Sequence, residues 1–277
     1  MSPHFPLPDV TVQRVENVRR VQYPGYADEY WQMNRNEFAM QVEGVGSFYA
    51  CNGNEVEYSE TPGVDKSVVE LYLNGSVYGA VLHQRQILPL HGSTFVEKKK
   101  GIMVCGDTGT GKSSLAAVFC LKGSMFLTDD ISPVVLQSRR PHVLALSESI
   151  KLHDNALQQL KVRKAGLKKI GYEIDKFYLP IESDAPAMYP LDIVMILEIH
   201  DKKALEISEV SGSGKVMELR NAIYRPEYLQ GMKENEQVYF SQITTMCNMV
   251  RMIRVKRPQE VSIDSVREKV AGYLFRQ

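Results

Sequence analysis

The stretch GIMVCGDTGTGKSSLAAVFCLKGSMFLTDD, residues 101–130, decides the fold. It opens with the short apolar run Gly101 to Cys105, which is typical of a strand buried on both faces. A glycine-rich segment follows, and Ser114 to Leu121 then carries apolar residues at helical spacing. Met125 to Leu127 begins a second buried strand, which stops at two aspartates. Strand, loop, helix and strand in this order predict an α/β unit.

The glycine-rich segment fits the pattern G-x-x-x-x-G-K-[ST] at every specified position. Glycines let the backbone wrap around phosphates with its amide groups pointing inward, and the following helix presents its positive end to them. Lys112 is expected to reach the β and γ phosphates, and the Ser113 hydroxyl to ligate Mg²⁺. The pattern therefore predicts a site for a nucleoside triphosphate with Mg²⁺. Its predicted binding residues are Gly106, Asp107, Thr108, Gly109, Thr110, Gly111, Lys112, Ser113 and Ser114.

Asp129 and Asp130 sit at the carboxyl end of the strand that follows the loop helix. Open α/β sheets bind their ligands at this end, which also holds the phosphate loop. Adjacent residues of a strand face opposite ways, so the two carboxylates are expected to differ in role. One can hold Mg²⁺ and the other can accept the proton of an attacking hydroxyl. An ATPase that binds Mg²⁺ and orients water is equally compatible with this pair.

The rest of the chain predicts a mixed sheet. Asn52-Gly53 between two short apolar runs indicates a β-hairpin, and Val68 to Leu73 is a further candidate strand. Ser76 to Arg85 is expected to be a helix with Ser76 as its N-cap. Other predicted strands are Ile87–Val96, 132–137, 142–146 and 193–199, and other predicted helices are 152–160, 237–255 and 265–275. We therefore expect an α/β fold, a P-loop-containing mixed β-sheet core flanked by helices (87–277), with a β-rich N-terminal part (1–86).

Composition excludes several other classes of protein. Lys plus Arg and Asp plus Glu both number 33, so no net field draws the chain to nucleic acid or an anionic membrane. No run of apolar residues is long enough to span a membrane, and the first residues lack the features of a secretory signal. The four cysteines are far apart and form no C-x-x-C pair, as expected for reduced thiols. We expect a cytoplasmic protein.

The segment GDTGTGKSSLAAVFCLKGSMFLTDDISPV, preceded by LPLHGSTF, resembles the core of HPr kinase/phosphorylase, which that family shares with phosphoenolpyruvate carboxykinase. The resemblance covers residues 88 to 134. It implies that Asp129 is the general base on a serine hydroxyl, that Asp130 serves the metal, and that His91 lies beside the phosphates and aspartates. It also implies ATP and Mg²⁺ as cofactors and a homo-oligomeric assembly.

The sequence departs from the family after Asp130, where the Glu-x-Arg-Gly-type signature of true HPr kinases is missing. The order of elements is more similar to compact HPr-kinase-like proteins, which include kinases of lasso-peptide precursors. The resemblance thus implies an ATP-dependent kinase acting on a serine of a peptide or protein, such as a ribosomal peptide precursor. HPr itself and a reverse phosphorylase reaction are not implied.

Several alternatives stay open at this point. A small hydroxyl metabolite such as free serine is one other acceptor, and a P-loop ATPase or nucleotide-binding switch with water as acceptor is a different class of protein. A pseudoenzyme is a third, against which the intact loop and aspartates argue. His91 alone is compatible with a core position. The further cation at the γ-phosphate is expected to be Lys151, Arg220 or Arg225.

Overall fold

The structure is a computed structural model that describes residues 5–171 and 175–275. The chain forms two compact units. The first takes the described parts of residues 1–89, 169–174 and 224–242, and the second those of 90–168, 175–223 and 243–277. The predicted division into residues 1–86 and 87–277 stays a prediction.

The first unit contains an N-terminal sheet followed by a helical segment. Its strands are β1 (Thr11–Arg14), β2 (Tyr26–Ala27), β3 (Trp31–Met33), β4 (Glu37–Val42), β5 (Gly46–Cys51) and β6 (Glu55–Glu60). In the described residues these six strands lie in the order β1-β6-β5-β4-β3-β2. The hairpin predicted at Asn52-Gly53 is confirmed, since β5 and β6 pair antiparallel across it. Both turn residues have a positive φ, as such turns require.

Residues 66–84 are helical throughout, so the strand predicted at Val68 to Leu73 is wrong. Helix α1 (Lys66–Tyr72) continues through a π-helical stretch (Leu73–Val77) into α2 (Tyr78–Gln84). Val69, Leu73 and Val77 are buried at four-residue spacing, the signature of one helix face. The predicted N-cap Ser76 therefore lies inside the helical run. The side chain of Asp65 caps it instead, accepting from Ser67 N.

The second unit is built on a mixed sheet. The remaining strands of the chain are β7 (Leu88–Glu97), β8 (Lys100–Cys105), β9 (Met125–Thr128), β10 (Ile131–Gln137), β11 (Arg140–Leu144), β12 (Ser149–His153), β13 (Lys168–Lys169), β14 (Lys176–Pro180), β15 (Met188–Pro190), β16 (Ile193–His200), β17 (Glu206–Glu209) and β18 (Arg251–Pro258). Of these, β12, β14 and β13 form a separate three-stranded sheet in the described residues. The remaining helices are α3 (Lys112–Leu121), α4 (Asp154–Gln159), α5 (Ser213–Asn221), α6 (Glu234–Met249) and α7 (Ile263–Leu274), with a 3₁₀ turn at Pro226–Gln230.

The large sheet runs in the order β15-β11-β10-β7-β8-β16-β18-β17 across the described residues, and β9 pairs with β7. β8, β16 and β18 are parallel, whereas β7 and β17 run antiparallel to their neighbours. Helices flank this mixed sheet, so the predicted α/β class is confirmed. The parallel strands bring the ends of β8, β16 and β18 to one edge, which is where the glycine-rich loop begins.

Helix α3 packs its apolar side against the sheet. Phe119 stacks on Phe95 of β7 with the ring centroids 4.5 Å apart, and Leu115 is fully buried. The helix ends where Gly123 adopts a φ of +100°, the left-handed geometry that commonly terminates helices. In the described part of the chain, no helix is both long and apolar enough to span a membrane.

Two of the predicted helices were partly wrong. Leu152 lies in β12, paired with Phe177 of β14, and the helix starts only at Asp154. The helix predicted over 237–255 ends at Met249, and 251–258 form β18 in the middle of the sheet. The alternating buried residues Ile253 and Val255 fit a strand that pairs on both sides, and these pairings outweigh local helix propensity.

Candidate functional site

The glycine-rich loop has the backbone bends that its sequence predicts. Gly106, Gly109 and Gly111 have φ values of +138°, +87° and +100°, a region that residues with a Cβ rarely adopt. At Gly106 an added Cβ would lie 2.2 Å from the carbonyl oxygen of Leu197 on β16. Only glycine therefore fits where β8 passes into the loop, and α3 begins directly after Gly111.

Lys112 lies across the start of this loop. Its Nζ donates to the carbonyl oxygens of Gly106 (2.8 Å) and Asp107 (3.1 Å). Burial lowers the pKa of Lys112, and the neighbouring acidic groups, including Asp130 and Asp129, oppose this effect. The ammonium group is thus held over the loop backbone and close to both aspartates.

Asp129 is buried at the end of β9 and is held by donors from two other strands. Its carboxylate accepts from the hydroxyl of Ser93 on β7 and from the backbone N–H of Lys151 (2.9 Å), and the nearby Ser113 hydroxyl also favours its ionised form. Burial and the nearby charge of Asp130 raise the pKa of Asp129, while these hydrogen bonds act in the opposite direction. A carboxylate with a raised pKa is a stronger proton acceptor.

Asp130 forms a tight turn and an ion pair. Its φ is +71°, and Ile131 N donates to Asp129 O at 2.9 Å to close the turn. The carboxylate lies 3.0 Å from Lys151 Nζ and 3.7 Å from His91 Nε2. Burial favours the neutral acid, but the positive charge of Lys151 outweighs it and lowers the pKa of Asp130 to about 2. The two adjacent carboxylates therefore have opposite pKa shifts, as expected for groups with different roles.

Lys151 connects the two aspartates. Its backbone N–H binds Asp129 and its side chain binds Asp130, so β12 is fixed against the end of β9. The charge of Asp130 raises the pKa of Lys151, although burial alone would lower it. Of the predicted cations, Lys151 is thus the one that the structure places at the aspartates.

The two predicted arginines have different surroundings. Arg220 is exposed near the end of α5. Arg225 belongs to the first unit, where its guanidinium donates to Glu227 and to the Ser76 hydroxyl. The catalytic roles predicted for these arginines stay predictions.

Two contributors were missed by the sequence analysis. Ser93 follows His91 by two residues on β7, a spacing that puts both on the same face of a strand and was a usable signal. Arg257, at the end of β18, donates from Nε to the carbonyl oxygen of Thr110 (3.0 Å). This hydrogen bond holds the loop and joins residues that are 147 positions apart in the chain. Nothing in the local sequence pattern indicates this contact.

The residues present fit a nucleotide with Mg²⁺. The positive-φ glycines form a concave backbone of the kind that binds phosphates, and Lys112 and the start of α3 supply positive charge. Within the described ranges, no three His, Cys, Asp or Glu side chains cluster as a metal site. Mg²⁺ bound with nucleotides commonly uses one or two carboxylates plus phosphate oxygens, which the Ser113 hydroxyl and the Asp130 carboxylate can complement.

Fold and site together define an α/β protein with a glycine-rich phosphate-type loop beside two adjacent aspartates, of which Asp129 is buried and Asp130 half-buried. No protein-family model matches the sequence, and no curated protein matches it. Among solved structures, the chain is similar to the Hpr(Ser) kinase/phosphatase from Coxiella burnetii, with 8% sequence identity and a TM-score of 0.34. The match covers 67% of this chain and 95% of that chain. Likeness at this level carries no argument about relationship or activity.

Proposed function

We propose that this chain is an ATP- and Mg²⁺-dependent kinase that transfers the γ-phosphoryl group to a serine-type hydroxyl of a peptide or protein. The observation that carries the proposal is the position of Asp129. It is a buried carboxyl group with a raised pKa, close to the hydroxyl of Ser113 in the loop. A general base must lie beside the phosphate loop in this way to act on a hydroxyl that attacks the γ-phosphate.

Each residue then has a distinct role. Asp129 accepts the proton of the acceptor hydroxyl while the new O–P bond forms and the bond to the leaving oxygen of ADP breaks. Lys112 and the loop amides hold and neutralise the phosphates, and Lys151 keeps Asp130 ionised. ATP and Mg²⁺, when bound, supply the phosphoryl group and the charge that stabilises its transfer. Ser113 and Asp130 are the residues that would hold the metal.

The hydrogen bonds to Asp129 support this assignment. Ser93 and the Lys151 N–H fix the orientation of the carboxylate from two different strands. A base on rigid strands is preorganised, and this kind of site works mainly by positioning and charge stabilisation. Loss of the base or of the loop lysine should therefore lower the rate by about 10²- to 10⁴-fold.

The test is phosphoryl transfer from γ-labelled ATP to serine-containing peptides, comparing wild type with Asp129→Asn and Lys112→Met. Lys122→Met is the matched control, because Lys122 is an exposed lysine just after α3, paired with Asp264. We expect label on serine in wild type and in the control, and its loss in the other two variants. Thermal unfolding of all four proteins checks that they are folded.

Two outcomes contradict the proposal. Label released only as phosphate, at a rate that no peptide changes, indicates the ATPase switch, in which Asp129 orients water. Label transferred to free serine or a sugar alcohol, but to no peptide, indicates a metabolite kinase.

A further inference from the structure

A cavity adjoins the first half of the phosphate loop. It has a volume of about 340 Å³ and lies within the second unit. Gly106, Asp107 and Thr108 of the loop form one side, and the ends of β16 and α5 form the other, with Glu198 and Glu218. This volume is at the lower end of the range for ligand sites, so it accommodates a short segment and not a folded surface.

His91 connects this cavity with the aspartate site. It is one of the lining residues, and its Nε2 lies 3.7 Å from Asp130. Its backbone N–H donates to the carbonyl oxygen of Ala222, directly after α5, at 2.6 Å. The wall of the cavity and the site of the proposed chemistry are therefore tied together by one residue.

The lining is acidic. Apart from His91, the charged residues that line the cavity in the described chain are Asp107, Glu198 and Glu218. Arg254 on β18, which is not a lining residue, bridges the two glutamates, with Nε 2.7 Å from Glu198 and Nη2 donating to Glu218. Lys256 Nζ, also outside the lining, lies 3.5 Å from Glu198. A carboxylate has about four acceptor positions, so these ion pairs leave each glutamate able to accept further hydrogen bonds.

We propose that this cavity binds the acceptor, and that the acceptor carries N–H donors or a positive charge next to its hydroxyl. The inference rests on the proposed kinase function and specifies its substrate class. The three carboxylates of the lining outnumber the two cations that pair with them, Arg254 and Lys256, so an acidic flank or a terminal carboxylate is repelled. A serine flanked by lysine or arginine is attracted and hydrogen-bonded by Glu198 and Glu218.

The test uses the full chain with MgATP and three peptides that differ only at the residues flanking one internal serine: lysine, alanine or glutamate. We expect kcat/KM to fall in that order, with at least about tenfold between the lysine and glutamate peptides. Raising the salt concentration should shrink this ratio, because the charges of the lining are accessible to solvent. This arm needs no variant.

Variants of the two glutamates test whether these residues cause the preference for the lysine peptide. Glu198→Gln and Glu218→Gln should each bring the ratio of the lysine to the glutamate peptide closer to one, with ATP affinity unchanged. Glu206→Gln is the matched control, because Glu206 pairs with Lys202 on the exposed strand β17 and lies outside the cavity lining. It should leave the ratio as in wild type.

The outcomes separate this inference from the proposed function. Equal transfer to the three peptides, or preference for the glutamate peptide, overturns the acidic subsite while the kinase function stands. A lysine preference that survives in both glutamine variants also overturns it. Phosphate released only to water, in the presence of every peptide, overturns the kinase proposal and this inference with it.

Discussion

The ion pair between Lys151 and Asp130 is predicted to contribute measurably to stability. The two groups are 3.0 Å apart, and their side chains are 15% and 32% exposed. At this distance Coulomb's law gives about 5.5 kcal/mol for an effective dielectric constant of about 20, and about 1.4 kcal/mol in water. Desolvation and side-chain ordering oppose the attraction, so we expect a coupling energy of about 2 kcal/mol.

A double-mutant cycle measures this coupling. Lys151→Met removes the charge and keeps an apolar side chain of similar length. Asp130→Asn is the right partner because asparagine adopts a positive φ more readily than alanine does, and Asp130 has a φ of +71°. The free energy of unfolding is measured by urea denaturation for wild type, both single variants and the double variant. Mg²⁺ and nucleotide are left out, because ligands that bind the folded state add their own stabilisation.

The pair formed by Lys122 and Asp264 is the control. Its charged atoms are slightly closer, 2.8 Å apart, but the side chains are 39% and 44% exposed. Exposed pairs contribute little, so its coupling energy should be about 0.5 kcal/mol. The reasoning is refuted if the Lys151–Asp130 coupling is no larger than that of the control pair.

Two further predictions concern a glycine of the loop and a buried histidine. Gly111→Ala and Gly123→Ala should each lower the free energy of unfolding by about 1–2 kcal/mol, since both positions have a φ of +100°. Only Gly111→Ala should also weaken ATP binding, because Gly111 belongs to the phosphate loop and directly precedes α3, whereas Gly123 follows that helix. Equal ATP affinities of the two variants by calorimetric titration contradict this. Burial lowers the pKa of His83 to about 4, and its ring donates to the Tyr224 carbonyl oxygen. Between pH 6.5 and 4 the unfolded state therefore binds more protons than the folded state. The contribution of neutral His83 to the free energy of unfolding is fully present above pH 6.5, and it falls by about 1.4 kcal/mol per pH unit as the pH drops through this window. Urea denaturation at several pH values gives the slope of the free energy of unfolding against pH. In His83→Gln this slope should be smaller by the equivalent of about one proton, and identical slopes in wild type and variant contradict the prediction.

Local sequence patterns were sufficient to predict the strand and the helix on either side of the loop. The short apolar run before Gly106 and the helical spacing after Gly111 predicted β8 and α3, because burial on both faces of a strand and on one face of a helix leaves different periods. The same patterns failed where tertiary contacts outweighed propensity. Residues 251–258 are a strand because β16 and β17 pair with them on both sides.

The candidate site, too, was predicted from the sequence only in part. The spacing G-x-x-x-x-G-K-S and the paired Asp129-Asp130 are each contiguous in the chain, so the sequence by itself determined a phosphate-type loop and two carboxylates at the end of the strand that follows the loop helix. It also determined the absence of net charge. It did not determine the opposite pKa shifts of the two aspartates, which depend on groups from β7 and β12.

Only the tertiary structure decided which cation serves Asp130, which donors hold Asp129, and where acidic residues line a cavity. Lys151 follows Asp130 by 21 residues, and Glu218 and Arg254 come from elements far apart in the chain. Hydrogen bonds and ion pairs act over a few ångströms of space whatever the sequence separation, so no local pattern encodes them. The loop and its aspartates follow from the sequence, and their electrostatics follow from the fold.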